Sequence, residues 1–174
     1  SDWGIQNALI RSGLDGHHPE FQNAVRDFWV QTFFSNEYLE ADIPYEGAAE
    51  FVNELYQLGC EIVYLTGRDV ARMGPGSAKV LKKWNFPLND KDARLALKPE
   101  KGMDDAQFKL DWFLDLPKEH YQKIYFFENE PVNIHLLKKH CDFVDIYYFE
   151  STHSGKASAP EALPRIMHFL IEEE

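Results

Sequence analysis

The sequence predicts an α/β fold built on a parallel sheet. Two observations lead there. Short runs rich in β-branched and aromatic residues recur at Glu61 to Leu65, Ile124 to Phe127 and Phe143 to Phe149. Between them lie stretches of helical periodicity long enough for the crossover that parallel strands require. The chain has 174 residues, 44% of them apolar and 14% aromatic, which is the size of one domain, so 1–174 is read as a single unit.

Taken in order, Ser1 to about Ser12 places Ile5, Leu9 and Ile10 on one helix side, with Gly13 as its stop. A loop with His17, His18 and Pro19 follows. Phe21, Val25, Phe28, Trp29, Phe33 and Phe34 then recur at helical spacing. A break at Asp42 to Gly47 leads to a third helix, with Ala48, Phe51, Leu55 and Leu58 on one face and Gly59 at the left-handed closing position. The strand Glu61 to Leu65 comes next. Asp69 to Gly76, with its two glycines and Pro75, reads as a loop, and Gly76 or Ser77 as the start of a helix carrying Val80, Leu81 and Trp84.

Ala93 to Leu97 is a short apolar run that ends at Lys98-Pro99. A helix begins near Asp104 or Asp105, and Ile124 to Phe127 is the next strand. The helix Val132 to His140 and the strand Phe143 to Phe149 continue the alternation. Glu150 to Pro160 reads as a loop and Pro164 to Glu173 as a terminal helix with an acidic tail. The helices ahead of the first strand do not fit simple alternation, so 13–43 is read as a helical cap over the strand ends.

Charge and composition narrow the function. Eighteen basic against twenty-nine acidic residues give a net charge of -11, which repels polyanions, so nucleic acid is not expected as a partner. The densest basic cluster, Lys79, Lys82 and Lys83, has the spacing of a solvated helix face. No apolar run approaches the roughly 20 residues of a membrane span, and no secretory leader is read at Ser1 to Leu9. Cys60 and Cys141 lie in apolar stretches and read as buried free thiols of a reducing compartment, the cytoplasm. No Gly-x-Gly-x-x-Gly follows a strand, which argues against a dinucleotide-binding domain.

Three strand or helix ends carry residues suited to phosphoryl chemistry, which needs charge neutralisation, a metal and an aligned nucleophile. In Ile62-Val63-Tyr64-Leu65-Thr66-Gly67-Arg68-Asp69, a buried strand runs into a hydroxyl and two backbone amides at its carboxyl edge, where open α/β sheets bind ligands. Thr66 there either grips an anion with the Gly67 and Arg68 amides or simply caps the turn. Lys109, early in its helix, and Lys98, before a proline, each read alone as solvated surface lysines. The strand end Phe127-Glu128-Asn129-Glu130-Pro131-Val132-Asn133 offers oxygen donors of the kind magnesium takes. Glu128 can equally serve the helix that begins near Pro131. Arg68 and Arg72 either contact a substrate anion or pair with Asp69 and nearby acids. His17, His18 and His153 are read as surface or lid residues.

In this order the segments resemble the haloacid dehalogenase (HAD) superfamily, mostly magnesium-dependent phosphohydrolases. The resemblance runs over roughly residues 40 to 155, through Pro44 to Gly47, the Thr66 stretch, Met73 to Ser77, Leu97 to Pro99, Phe108-Lys109, Phe126 to Asn133 and Thr152 to Gly155. It implies a three-layer Rossmann-like HAD fold with a small helical cap, and a small phosphorylated substrate. Thr66, Gly67 and Arg68 would bind its phosphate, with Lys109, preferred, or Lys98 neutralising it, and magnesium would sit near Glu128, Asn129 and Asn133. The family usually has paired aspartates where this chain has Glu128 and Asn129. Its nucleophile, the first aspartate of an Asp-x-Asp motif on the central strand, has no counterpart ahead of the Thr66 strand and is expected upstream of Ser1. Without that strand the sheet would fall into two halves facing a gap, with unpaired edges and poor folding. The alternative is a non-catalytic descendant that binds a phosphate ligand or a protein.

Overall fold

Two separate runs of parallel strand pairing organise the chain. The structure, a computed structural model, describes residues 5–14 and 18–171. Three helices, α1 (Ile5–Arg11), α2 (Pro19–Phe33) and α3 (Asn36–Leu39), precede α4 (Ala48–Gln57) and β1 (Ile62–Asp69). Next come α5 (Val70–Lys83), β2 (Ala93–Lys98) and α6 (Asp105–Leu114). A 3-10 turn at Lys118–His120 leads to β3 (Tyr125–Glu128), α7 (Pro131–His140), β4 (Asp145–Phe149) and β5 (Arg165–Ile166).

β1 pairs with β2, and β3, β4 and β5 form a second sheet in that order, all parallel. The expected α/β alternation is thus present as small parallel sheets. Among the described residues no ladder joins β1 to β3. Both strands nevertheless touch the same two helices. α4 and α6 each contact β1, while Phe51 of α4 meets Phe127 edge-on at 5.4 Å and Phe113 of α6 meets Phe126 at 5.0 Å. Successive residues of a strand face opposite ways, so β3 has α6 over one face and α4 over the other.

The main core lies on the α6 side. Leu110 and Phe113 of α6, Phe126 of β3, Ile134, Leu137 and Cys141 of and beside α7, and Val144, Ile146 and Tyr148 around β4 form one buried cluster, and Leu65 of β1 packs against it. The opposite face is aromatic: Phe169 packs on Phe149 (4.9 Å) and Phe51 (5.5 Å), and Tyr45 meets Phe149 at 4.6 Å.

Local chemistry explains most boundaries. Pro19 and Pro131 open α2 and α7 at positions where no amide partner is lost. The Asp104 carboxylate accepts from the Gln107 amide and caps α6. Gly13 and Gly59 take the left-handed conformation at the expected stops. Lys138 and Lys139 place positive charge at the carboxyl end of α7.

Several expectations are corrected. The stretch Asp69 to Gly76, expected as a loop, is the end of β1 at Asp69 and helix from Val70 on. The Asp69 carboxylate caps α5 by accepting from the Arg72 amide at 3.0 Å. Pro75 inside the helix is accommodated beside two glycines, and the Gly76 amide donates to Asn36 Oδ1 at 2.7 Å. Gly76, where a Cβ would lie 2.9 Å from Asn36 Cα, lets α3 pack against α5. The terminal helix is absent among the described residues. Arg165 and Ile166 instead extend the open edge of β4, with Tyr148 N donating to Pro164 O and Glu150 N to Ile166 O, both at 2.9 Å. The expected acidic tail, like His17 and the first residues of the first expected helix, lies outside the described residues. Cys60 is exposed rather than buried, whereas Cys141 is buried and both are free. Leu58, assigned to an apolar face, is 78% exposed.

Candidate functional site

The carboxyl ends of β1, β2 and β3 converge on the first turns of α6. β1 does not stop at Leu65. It continues to Asp69, but its register with β2 slips after Thr66 opposite Leu97, so that Asp69 lies opposite Lys98 and Gly67 and Arg68 have no partner on β2. Such a bulge is a common way to aim backbone and side chains at a site. Within it the Arg68 amide donates to Thr66 Oγ1 at 3.3 Å, the turn-capping role the sequence allowed for this threonine.

Lys98 and Lys109 both arrive here, by different routes. Lys98, the last residue of β2, is buried; its ammonium donates to Met103 O at 2.9 Å and to Asp105 Oδ1 at 2.5 Å. Asp105 in turn lies so close to Gly67 that a Cβ on that glycine would sit 2.5 Å from Asp105 Oδ2. Lys109 is one turn further along α6, on the same helix face, and its ammonium pairs with Glu128 Oε2. One helix face therefore reaches the end of β1 through Asp105 and the end of β3 through Lys109.

Glu128 is buried and fully engaged. Oε1 accepts from the amides of Asn129 (2.9 Å) and Glu130 (3.0 Å), and Oε2 from Lys109 and from Asn133 Nδ2 (2.9 Å). Asn129 directs its side-chain amide to Thr152 O at 2.7 Å. Of the three residues expected to hold magnesium, then, the one carboxylate already has four donors, the Asn133 side-chain amide among them, and the Asn129 amide donates to Thr152 O. As placed, this donor set does not fit a magnesium ion, which takes carboxylate or carbonyl oxygens in an octahedron. Among the described residues no three His, Cys, Asp or Glu side chains gather as a metal group.

The arginines settle into internal pairs. Arg68 donates to Asp42 Oδ2 at 2.5 Å, tying the bulge to the segment ahead of α4. Arg72 donates through Nε to Asp69 Oδ2 at 2.7 Å and lies 5.0 Å over the Phe34 ring. The Arg72 hydrogen bonds hold the Asp69 carboxyl below the usual carboxylate range, against the opposing effect of burial. His18 precedes α2 without a side-chain cap bond, and His153 accepts from the Gly155 amide in its own loop.

Three contributors were not expected from the sequence. Asp105 was seen only as a helix start, although its spacing from Lys109 was the available clue. Asp42 joins from a segment read only as a break. Glu130 fastens the loop after β4 by accepting from Ser154 N and Ser154 Oγ, both at 2.9 Å. One Asp-x-Asp does occur, at Asp90-Lys91-Asp92, and it is a turn. Asn89 Oδ1 accepts the amides of Lys91, Asp92 and Ala93, and Asp90 has a φ of 63°. It stands at the amino end of β2, whereas the Thr66 bulge and Lys98 lie at the carboxyl end.

No family model matches the chain, and neither the curated proteins nor the solved structures contain a match to it. Among the described residues no helix is long and apolar enough to cross a membrane.

Proposed function

We propose that this chain belongs to a magnesium-dependent phosphohydrolase of the HAD type acting on a small phosphate monoester. In this reading it is a three-layer Rossmann-like HAD domain, with 13–43 as its helical cap, working in the cytoplasm. The observation that carries the reading is the break between β1 and β3. Among the described residues β1 and β3 have no ladder between them, α4 and α6 touch both strands, and Thr66, Lys98, Lys109 and Glu128 gather at the carboxyl ends. One further parallel strand placed between β1 and β3 would join the two sheets and satisfy both edges. It would also put a side chain from its own carboxyl end among those residues.

That side chain is the proposed nucleophile, an aspartate upstream of Ser1. It attacks phosphorus, the ester oxygen leaves, and water then cleaves the aspartyl phosphate. Thr66 Oγ1 and the Gly67 and Arg68 amides bind the phosphoryl oxygens, while Lys109 or Lys98 neutralises them. Magnesium would add charge neutralisation, with further carboxylate oxygen from the added strand making up for the donors that Glu128, Asn129 and Asn133 lack as placed. The test is phosphate release from a panel of monoesters by the natural full-length protein with magnesium. Thr66→Ala and Lys109→Ala should each reduce it by about a hundredfold, the scale of losing one transition-state donor. No release from any ester would end the enzyme reading.

Four donors on Glu128 favour a second reading, a non-catalytic module that binds a phosphate ligand or a protein. It is distinguished in the same assay by phosphate binding, or by partner binding, without turnover.

A further inference from the structure

Among the described residues, four cations near the strand ends each hold a carboxylate. Arg68 has Asp42, Arg72 has Asp69, Lys98 has Asp105 and Lys109 has Glu128. An anion that takes the place of one of these carboxylates would find Asp42, 42% exposed, tying the Arg68 bulge to the segment ahead of α4. Asp69 and Glu128 are buried, with side chains 2% and 5% exposed, and each accepts backbone amides as well. Asp105 is different on three counts. Its side chain is 58% exposed. The helix does not depend on it, because Asp104 supplies the cap. Its carboxylate rests in the space that the missing Cβ of Gly67 leaves open.

We infer that Asp105 is a resident anion of the strand-end site, holding the place beside Gly67 and Lys98 that a phosphate takes, and that it swings out to solvent when phosphate enters. The inference rests on the phosphate reading above and deepens it. The Lys98 side chain is 8% exposed, so its ammonium is costly to leave without a counter-charge. Exchange of carboxylate for phosphate keeps it paired throughout. Rotation of Asp105 about its own side-chain bonds leaves α6, its Asp104 cap and the Lys109–Glu128 pair in place. Asp105 thereby sets how tightly the site holds phosphate, and favours release of inorganic phosphate by competing for Lys98.

The test is titration of the natural full-length protein with inorganic phosphate, by calorimetry and by amide chemical shifts, for the wild type, Asp105→Asn, Asp105→Ala and Lys98→Met. Both Asp105 variants should bind phosphate more tightly by at least about threefold, the scale of losing one partly exposed competing ion pair. Lys98→Met should bind at least about tenfold more weakly. Weaker or unchanged binding in the Asp105 variants would overturn the inference while leaving the phosphate site standing, since Asp105 would then position Lys98. Failure of the wild type and both Asp105 variants to bind phosphate would overturn the site itself and the inference with it.

Discussion

Lys109 and Glu128 close the space between α6 and β3 with a buried ion pair, their side chains 12% and 5% exposed. Removing one member leaves the other charge without its partner in a poorly solvated place, which costs far more than an exposed pair is worth. Lys109→Met should destabilise the protein by about 3 kcal/mol, read from urea unfolding. Lys109→Met combined with Glu128→Leu should cost well under the sum of the two single changes. Additive single and double values would show that the pair is not coupled.

The fit of α3 on α5 predicts a specific glycine effect. A Cβ at Gly76 would lie 2.8 Å from Asn36 Oδ1 and 2.9 Å from Asn36 Cα. The backbone of α3 must then retreat, at a cost of about 1–3 kcal/mol. Gly76→Ala should lower the melting temperature and speed proteolytic cutting within residues 30–42, and unchanged cutting would refute the contact.

Gly47 and Gly59 make a matched pair for separating backbone strain from crowding. Both have positive φ, 75° and 86°, but a Cβ at Gly47 would lie 2.7 Å from the Phe169 carbonyl group, whereas at Gly59 nothing lies within 4 Å. Gly59→Ala should cost about 1 kcal/mol, the left-handed penalty alone. Gly47→Ala should cost about 3 kcal/mol, strain plus overpacking, measured by thermal unfolding. Equal losses would mean that the Phe169 segment does not press on α4.

Acid should weaken the start of α5. The Asp69 carboxyl titrates below its ordinary range because Arg72 hydrogen-bonds the ionised form. Its native value is therefore lower than its unfolded one, so the folded state binds fewer protons. The resulting stabilisation is complete above about pH 4 and is lost as pH falls through the depressed native value. Asp69→Asn, whose amide oxygen can still accept the Arg72 amide and cap the helix, should remove that part of the acid dependence. A wild-type acid profile in this variant would show that Asp69 is not its source.

Much of the site was legible because its signals are local. Thr66 and Glu128 each stand where an apolar run ends, and the structure has a bulge at the first and the end of β3 at the second. Lys109 follows a helix-start pattern and lies in the second turn of α6. Other parts depend on partners far along the chain. Gly74-Pro75-Gly76 reads as a break, and the helix there has help from Asn36, forty positions away. Arg165 and Ile166 have helical spacing with Phe169, yet an unpaired edge of β4 and an aromatic recess formed by Phe51, Phe127 and Phe149 decide their conformation. Asp105 has no meaning in isolation; Lys98 and Gly67 give it one.

The divided pairing has a consequence for the order in which the molecule loosens. Each sheet draws its ladder hydrogen bonds from nearby sequence, β1 with β2 across α5, and β3 with β4 across α7. Among the described residues, side chains of α4 and α6, and no main-chain ladder, span the line between them. Amide protons on the two halves should therefore exchange with separate opening free energies, as two cooperative units. Any strand that came to lie between β1 and β3 would merge them, so that exchange at Tyr64 and at Phe127 would slow together.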